Sequence, residues 1–482
     1  MQKIAILFLI LCMSVGCTEQ KIDATLLIKN VWVVDVKKGN LLAAKKDIWI
    51  NGDRIVQIRD HKEQTKSNNE IIDGSGKYII PGLWDMHAHP DDPEMWRMDP
   101  DEYSRDQLMP LFVRYGVTGI RDMAGSMEVI EKWRTKIRSK ELVGPEIVAC
   151  GPLIDGPNPM WDGSVGISDL SKVKPMVDSL KNSGADFLKI YSLLPDSIYF
   201  ELSKYARQLD FPHVGHVPLT VTTAEASIAG MKSQEHLLNL LMDCSARADQ
   251  LYAKEVDYGD ITNPVDKYVY RNELMLDTYD EEKARTLYET FVKNETWHTP
   301  TISMWYKNAY FEQEILKDSI HFKYLPMYMR NYWKPENNDH LQNRLPKIIM
   351  VKKKLVEAYK ERIGEMNTAG VGLLAGTDVG ANPLCFPGLS LHYELQMLVE
   401  SGLTPAEALR TATLNPALYF EKENVQGSVD EGKLADLVLL DANPLEDIEN
   451  TKRINAVVLK GEVFDYERLQ KELAMVERSV NR

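Results

Sequence analysis

Eight short apolar runs recur between residues 79 and 377, each followed by a stretch with helical patterning: 79–86, 117–122, 146–150, 186–191, 213–216, 232–236, 297–301 and 371–377. Strands that alternate with helices in this way cannot pair with their sequence neighbours through hairpins, so they assemble as parallel βα units. Eight such units close a barrel. The chain of 482 residues is long enough for that barrel and a smaller accessory unit.

The accessory unit is legible at both chain ends. Residues 25–56 alternate apolar and polar side chains around Asn51-Gly52, a pair suited to a hairpin turn. The same texture returns in 435–440 and 454–458. The expected architecture is therefore α/β, a (β/α)8 TIM barrel over 81–420 with a small β-sandwich-like domain built from 25–80 and 427–465. Gly427–Leu440 is expected to return to the module begun near Thr25, ending in the turn-prone Asp441-Ala442-Asn443-Pro444. The stretches after His236 and after Thr301 exceed a standard βα unit and read as insertions over the barrel mouth, where loops shape substrate pockets.

Residues 1–16 read as an export signal, with Lys3 ahead of the apolar run Ile4–Met13 and small residues before Cys17. Ser14-Val15-Gly16-Cys17 resembles a bacterial lipobox, although Ser14 stands where that pattern usually has Leu. The expectation is export and a lipid anchor on Cys17 at a bacterial membrane, periplasmic or surface-facing, with plain secretion as the alternative. Cys150, Cys244 and Cys385 remain, an odd and scattered set that implies no disulfide framework. A formal net charge of −14 offers no basic face for nucleic acid.

Four of the ten histidines, His87, His89, His216 and His236, fall at the C-terminal ends of the apolar runs, which converge on one face of a closed barrel. In Pro81–Pro90 the alternation of a strand lets His87 and His89 point inward at one divalent ion, Zn2+ being the natural choice for nitrogen ligands. Asp378, after Leu373–Thr377, stands where a carboxylate could bind metal and take a proton from an attacking water; the plainer reading is a helix N-cap. Lys189 at an inward strand end would repel divalent ions as an ammonium. As a neutral amine it can add CO2, and the resulting carbamate has two oxygens for bridging a metal pair. The alternative is a lysine that reaches solvent or binds a substrate carboxylate. His213, three residues from His216 along a strand, should face the other side and be structural.

Taken with Gly116–Met123 (GVTGIRDM), Gly184–Tyr191, Gly215–Pro218, Glu235-His236, Gly376-Thr377-Asp378 and the tail Gly432–Leu437 with Asn443-Pro444, these residues resemble the amidohydrolase superfamily, within it the imidazolonepropionase-like and Xaa-Pro dipeptidase-like branch. The resemblance implies that His87 and His89 hold the more buried of one or two divalent ions and His216 and His236 the more exposed. It makes Asp378 a ligand of the buried ion and the proton shuttle, and Lys189 the carboxylated bridge. The expected activity is hydrolysis of an amide, peptide or cyclic amide C–N bond in a small-molecule or short-peptide substrate. A mononuclear imidazolonepropionase-like or deaminase-like hydrolase would not need Lys189 as a ligand. A surface lipoprotein that keeps the barrel only as a binding scaffold would have no use for the ligand set. Tyr191 and His298 are candidate substrate contacts, His298 also fitting a packed side chain. His392 is either a contact or a helix-surface residue.

Overall fold

The structure is a computed structural model that describes residues 22–63, 70–91, 105–253, 257–338, 341–342, 344–380 and 382–481. The export signal and Cys17 lie outside the described residues.

The two chain ends meet in one sheet. Strand Leu26–Asp35 pairs antiparallel with Lys46–Asn51 and parallel with Tyr78–Pro81, which in turn pairs antiparallel with Leu437–Leu440; Ile454–Leu459 and Glu462–Asp465 continue the same sheet. Lys46–Asn51 and Arg54–Asp60 form the hairpin expected at Asn51-Gly52. Ile28, Val33, Ile48, Ile79, Leu437 and Val458 bury against one another to form this sheet's own core. Of the alternating stretch 427–440 only Leu437–Leu440 is a strand, because Gly432, Lys433 and Ala435 spend their backbone bonds on Ile55 and Asp53.

The remainder is a TIM-barrel-like α/β fold. The run expected at 79–86 is split: Tyr78–Pro81 belongs to the end sheet, and Leu83–Ala88 begins a parallel set with Val117–Asp122 and Glu146–Ala149. Gly82 marks the crossing, where an added Cβ would come within 2.1 Å of Thr118 Oγ1. A second parallel set contains Leu188–Ile190, His213–Gly215, Ser233–Glu235 and Trp297–Thr299. The Asp186 N–H donates to Ala149 O between the two sets. Residues 371–377 do not form the regular strand expected of them. They touch the second set through one parallel bridge, His298 with Leu373. Met86 N–H donates to Ala375 O, whereas Ala375 N–H donates to Thr411 O, so the segment divides its bonds among three neighbours and builds no ladder.

Both long insertions are helical. Pro264–Asp277 lies in the insertion after His236, and Ile302–Ala309, Phe311–Asp318, Met327–Tyr332 and Pro346–Ala369 follow Thr301. Among the described residues no helix is long and apolar enough to cross a membrane.

Candidate metal centre

The C-terminal ends of the barrel strands and the insertion helices enclose a cavity of about 440 Å3 whose lining includes His87, His89, Lys189, His216, His236 and Asp378. All six side chains expected as ligands thus share one cavity. Their placement follows from local bonds. Asp85, buried under the site, accepts the His87 N–H (3.2 Å), the Thr377 N–H (3.1 Å) and the Thr377 hydroxyl (2.6 Å), which ties the first strand to the 371–379 segment. Burial pushes the Asp85 carboxyl up to about 7, with the bonds from Thr377 and His87 acting against it. Gly376 is required at this join, because a Cβ there would lie 2.7 Å from His87 Cβ.

Asp378 then turns back over the histidines with φ of +59°, a left-handed conformation that a non-glycine residue keeps only when its surroundings hold it. Its N–H donates to His87 O (2.7 Å), and Asn382 Nδ2 donates to Oδ2 (2.6 Å). Oδ1 is thereby left 3.0 Å from His89 Nε2 and 3.4 Å from His87 Nε2. Burial opposes charge on this carboxyl, yet the imidazoles of His236, His87 and His89 hold it well below the usual carboxylate range. Among the described residues it caps no helix, the next one, Leu389–Glu400, having Gly388 at its N-cap.

The histidine tautomers suit a cation. His87 Nδ1–H donates to Glu235 Oε2 (2.7 Å), so Nε2 presents its lone pair into the cavity. That Nε2 is buried and, among the described residues, has no hydrogen-bond partner. An orphaned buried nitrogen beside a carboxylate oxygen costs stability unless something binds it, and a divalent ion fits. The ligand atoms of His87, His89 and Asp378 lie within 4.8 Å of one another. In His236 the Nδ1 faces Thr301 Oγ1 at 2.8 Å, and the Thr301 hydroxyl donates to Pro300 O, so Nδ1 is the donor and Nε2 is again available. His216 Nδ1 lies 2.8 Å from Ser192 Oγ. Ring centroids of His236 stand 4.4 Å from His87 and 5.0 Å from His216. Burial holds His87, His216 and His236 below the ordinary imidazole value, the last at about 4, which keeps them neutral as ligands must be.

Lys189 points inward from Leu188–Ile190 and is 1% exposed. Burial lowers its amine to about 8, opposed by the charges of Glu235 and Asp378. Tyr191 lines the cavity, stacks on His216 at 4.1 Å and accepts a hydrogen bond from Trp161 Nε1 (2.6 Å).

Two expected contacts are corrected. His298 is not in the cavity: it has the strand parity opposite to Thr299, faces the helical layer and packs on Phe291 at 4.4 Å. His392 is buried, not on a helix surface, and its Nε2 donates to Tyr115 O while Nδ1 lies 2.9 Å from Thr451 Oγ1. His213 packs against Tyr199 on the outer side of its strand, as its three-residue offset from His216 required.

Sequence reasoning gave no role to Arg121 and Glu235, although both lie in quoted motifs. Arg121 is fully buried inside the barrel. It donates to Glu235 from Nη2 (2.9 and 3.0 Å), to Ser233 Oγ (2.8 Å), Tyr419 Oη (2.9 Å), Thr299 Oγ1 (3.2 Å) and, from Nε, Met86 O (2.6 Å). Burial raises the Glu235 carboxyl, but Arg121 and Lys189 outweigh it and keep the group ionised. Glu235 in turn fixes the His87 ring. The signal was present in the sequence: a charge inside an apolar strand demands a buried partner. Glu235→Gln should keep the shape while weakening the anchor of His87, lowering metal affinity by about 10- to 100-fold. Competition with a chromophoric chelator measures it, and unchanged affinity would make Glu235 a partner of Arg121 alone.

Residues 315–464 match the model of the Amidohydrolase family. The chain is 38% identical over 101 residues to ochratoxinase from Aspergillus niger, a match that spans 20% of this chain and 20% of that protein's length. Among solved structures it is similar to bottromycin amidohydrolase, with TM-score 0.73 and 20% identity over 94% of this chain and 90% of that one. It is also similar to a Xaa-Pro dipeptidase with bound methionine in the active site, with TM-score 0.64 and 19% identity over 91% and 99% of the two chains. The last two likenesses are of fold. The matched family segment carries Asp378 and the strands that return to the end sheet, and the shared fold extends over the barrel that brings Asp378 to the histidines.

Proposed function

We propose that the protein is a metal-dependent hydrolase of C–N bonds, acting on an amide, peptide or cyclic amide, with a binuclear centre that includes a carboxylated Lys189. The observation that carries this reading is the approach of Asp378 Oδ1 to His89 and His87, at 3.0 and 3.4 Å, within a cavity that also holds His216, His236 and Lys189. The relatives named as an amidohydrolase and a dipeptidase support the same bond class.

His87, His89 and Asp378 would hold one ion, His216 and His236 a second, with the Lys189 carbamate shared between them. A bound divalent ion supplies acidification of water toward a pKa of about 7 and polarisation of a carbonyl. Asp378 receives the proton of the attacking water, since its carboxylate is ionised and Oδ2 is steadied by Asn382. It then delivers that proton to the departing nitrogen, which leaves poorly as an anion. Glu235 and Thr301 keep His87 and His236 in the tautomer that faces the cavity. Tyr191 and the insertion helices wall the substrate. The narrower mononuclear reading draws on the ligand atoms of His87, His89 and Asp378 alone, which lie within 4.8 Å of each other.

The test combines metal analysis of the purified protein with assay of dipeptides, N-acyl amino acids and cyclic amides before chelation, after chelation and after Zn2+ is restored. Hydrolysis that survives complete removal of metal would overturn the proposal. Export with a lipid on Cys17 is part of the same reading, resting on the apolar run that ends in small residues before that cysteine. Mass spectrometry of the N-terminal peptide is expected to find an acylated Cys17, and an unmodified cysteine would leave a secreted enzyme.

A further inference from the structure

Thr301, just past the strand Trp297–Thr299, is held in a conformation that its own side chain opposes. Its φ is +48° and its ψ +42°, the left-handed region, where a branched Cβ crowds the backbone and which a threonine keeps only when its surroundings impose it. The residue is fully buried and opens the helix Ile302–Ala309. Its hydroxyl is the group that faces His236 Nδ1, at 2.8 Å. One turn into the helix, Trp305 Nε1 donates to His236 O (3.1 Å). His236 is left-handed too, with φ of +62°, so two strained residues depend on the placement of one short helix.

The start of that helix is secured from elsewhere in the chain. Thr301 occupies the N-cap position, but its side chain makes no capping bond, because the hydroxyl is turned to Pro300 O. The first N–H groups, which have no partner within a helix, go instead to Glu394 of the helix Leu389–Glu400. Oε1 accepts from Ile302 (3.1 Å) and Oε2 from Ser303 (2.8 Å). Glu394 is fully buried. Burial pushes its carboxyl up to about 7, with the N–H groups of Ser303 and Ile302 acting against that rise. A carboxylate with both oxygens committed to two successive amides fixes the chain that follows Thr301, and a neutral side chain with one acceptor holds only one of them.

We propose that Glu394 is a positioning residue of the metal centre. By holding the Ile302 and Ser303 amides it keeps Thr301 left-handed, and Thr301 keeps the His236 proton on Nδ1 with Nε2 free for an ion. The inference rests on the reading of His236 as a ligand of the second ion. Glu394 is not among the residues that line the cavity, so its effect passes through Thr301 and the helix.

The test follows the His236 ring in the metal-free protein at about pH 8, above the Glu394 value, by NMR of labelled histidine nitrogens. The His236 signals are those that vanish in His236→Asn. In the wild type Nδ1 should carry the proton. Glu394→Gln keeps the size but leaves one amide without its acceptor, and should move the tautomer ratio about 5- to 10-fold toward Nε2–H, the equivalent of one hydrogen bond. After loading with Zn2+, competition with a chelator should show the more weakly held ion bound about 10- to 100-fold less tightly in this variant, with the tighter ion unchanged. An unshifted ratio in the folded variant, even one that melts earlier than wild type, makes Glu394 a support of the helix alone and overturns the proposal. If Glu394→Gln does not fold, Glu394→Asp takes its place, its carboxylate one methylene short of the two amides. The ratio should then shift in the same direction, and an unshifted ratio overturns the proposal equally. If the wild type binds one ion or none, the binuclear reading is what fails, and the tautomer alone decides the role of Glu394.

Discussion

Replacing Lys189 by alanine is expected to lower bound divalent metal from about two ions per chain toward one or none, and to slow turnover by roughly three orders of magnitude or more. Lys189 is buried at the centre of the ligand set: its charge depresses His87, His216 and His236 alike, so it lies within electrostatic reach of both histidine pairs. Left as an ammonium it would work against two cations at the same place. With its amine lowered to about 8, about a tenth of it is neutral at pH 7, enough to react with CO2. The proposed carbamate would reverse the sign of the charge and would give a pair of ions the anion it needs. Elemental analysis and kinetics on the same preparation check both effects, and acetate should restore part of the activity by supplying a short carboxylate. A Lys189→Ala protein with full metal content and normal turnover would refute the carbamate and favour a single ion on His87, His89 and Asp378.

What was legible in the sequence is what depends on parity and chain order. His87 and His89, two apart in a strand, had to share a face, and His213 and His216, three apart, had to oppose; both relations hold in the structure. The return of the chain end to the first strands was legible because alternation survives in Leu437–Leu440 and Ile454–Leu459. Long-range bonds were harder to read. The segment 371–377 has the composition of a strand but spends its amides on three different neighbours, a fact no local pattern carries. His298 shows how far a strand-end position can mislead: one residue along, Thr299 faces the barrel interior, and His298 therefore faces Phe291. His392 sits in a helix that is apolar on several sides, so its burial depended on the neighbouring 448–452 turn and not on its own stretch. Arg121 and Glu235 were visible as charges in buried strands, but their pairing spans 114 residues and could be read only once the barrel had closed around them.

Changing Asp378 to asparagine is expected to lower kcat by about 1,000-fold, within the range that removal of a positioned general acid–base group produces. The substitution nearly preserves shape, so the backbone bond from Asp378 N–H to His87 O should persist. What it removes is the negative charge facing His87 and His89 and the capacity to take up a proton. Those two losses have different signatures. If Asp378 serves only to hold an ion, activity should follow metal occupancy and return when the variant is saturated with Zn2+. If it also moves the proton, the deficit should remain at full occupancy and should be smaller for a substrate whose leaving group departs readily without protonation, such as an activated anilide or ester. The proposed mechanism expects the second pattern. Recovery of wild-type kcat on saturation with metal would reduce Asp378 to a ligand and transfer the proton step to another group in the cavity.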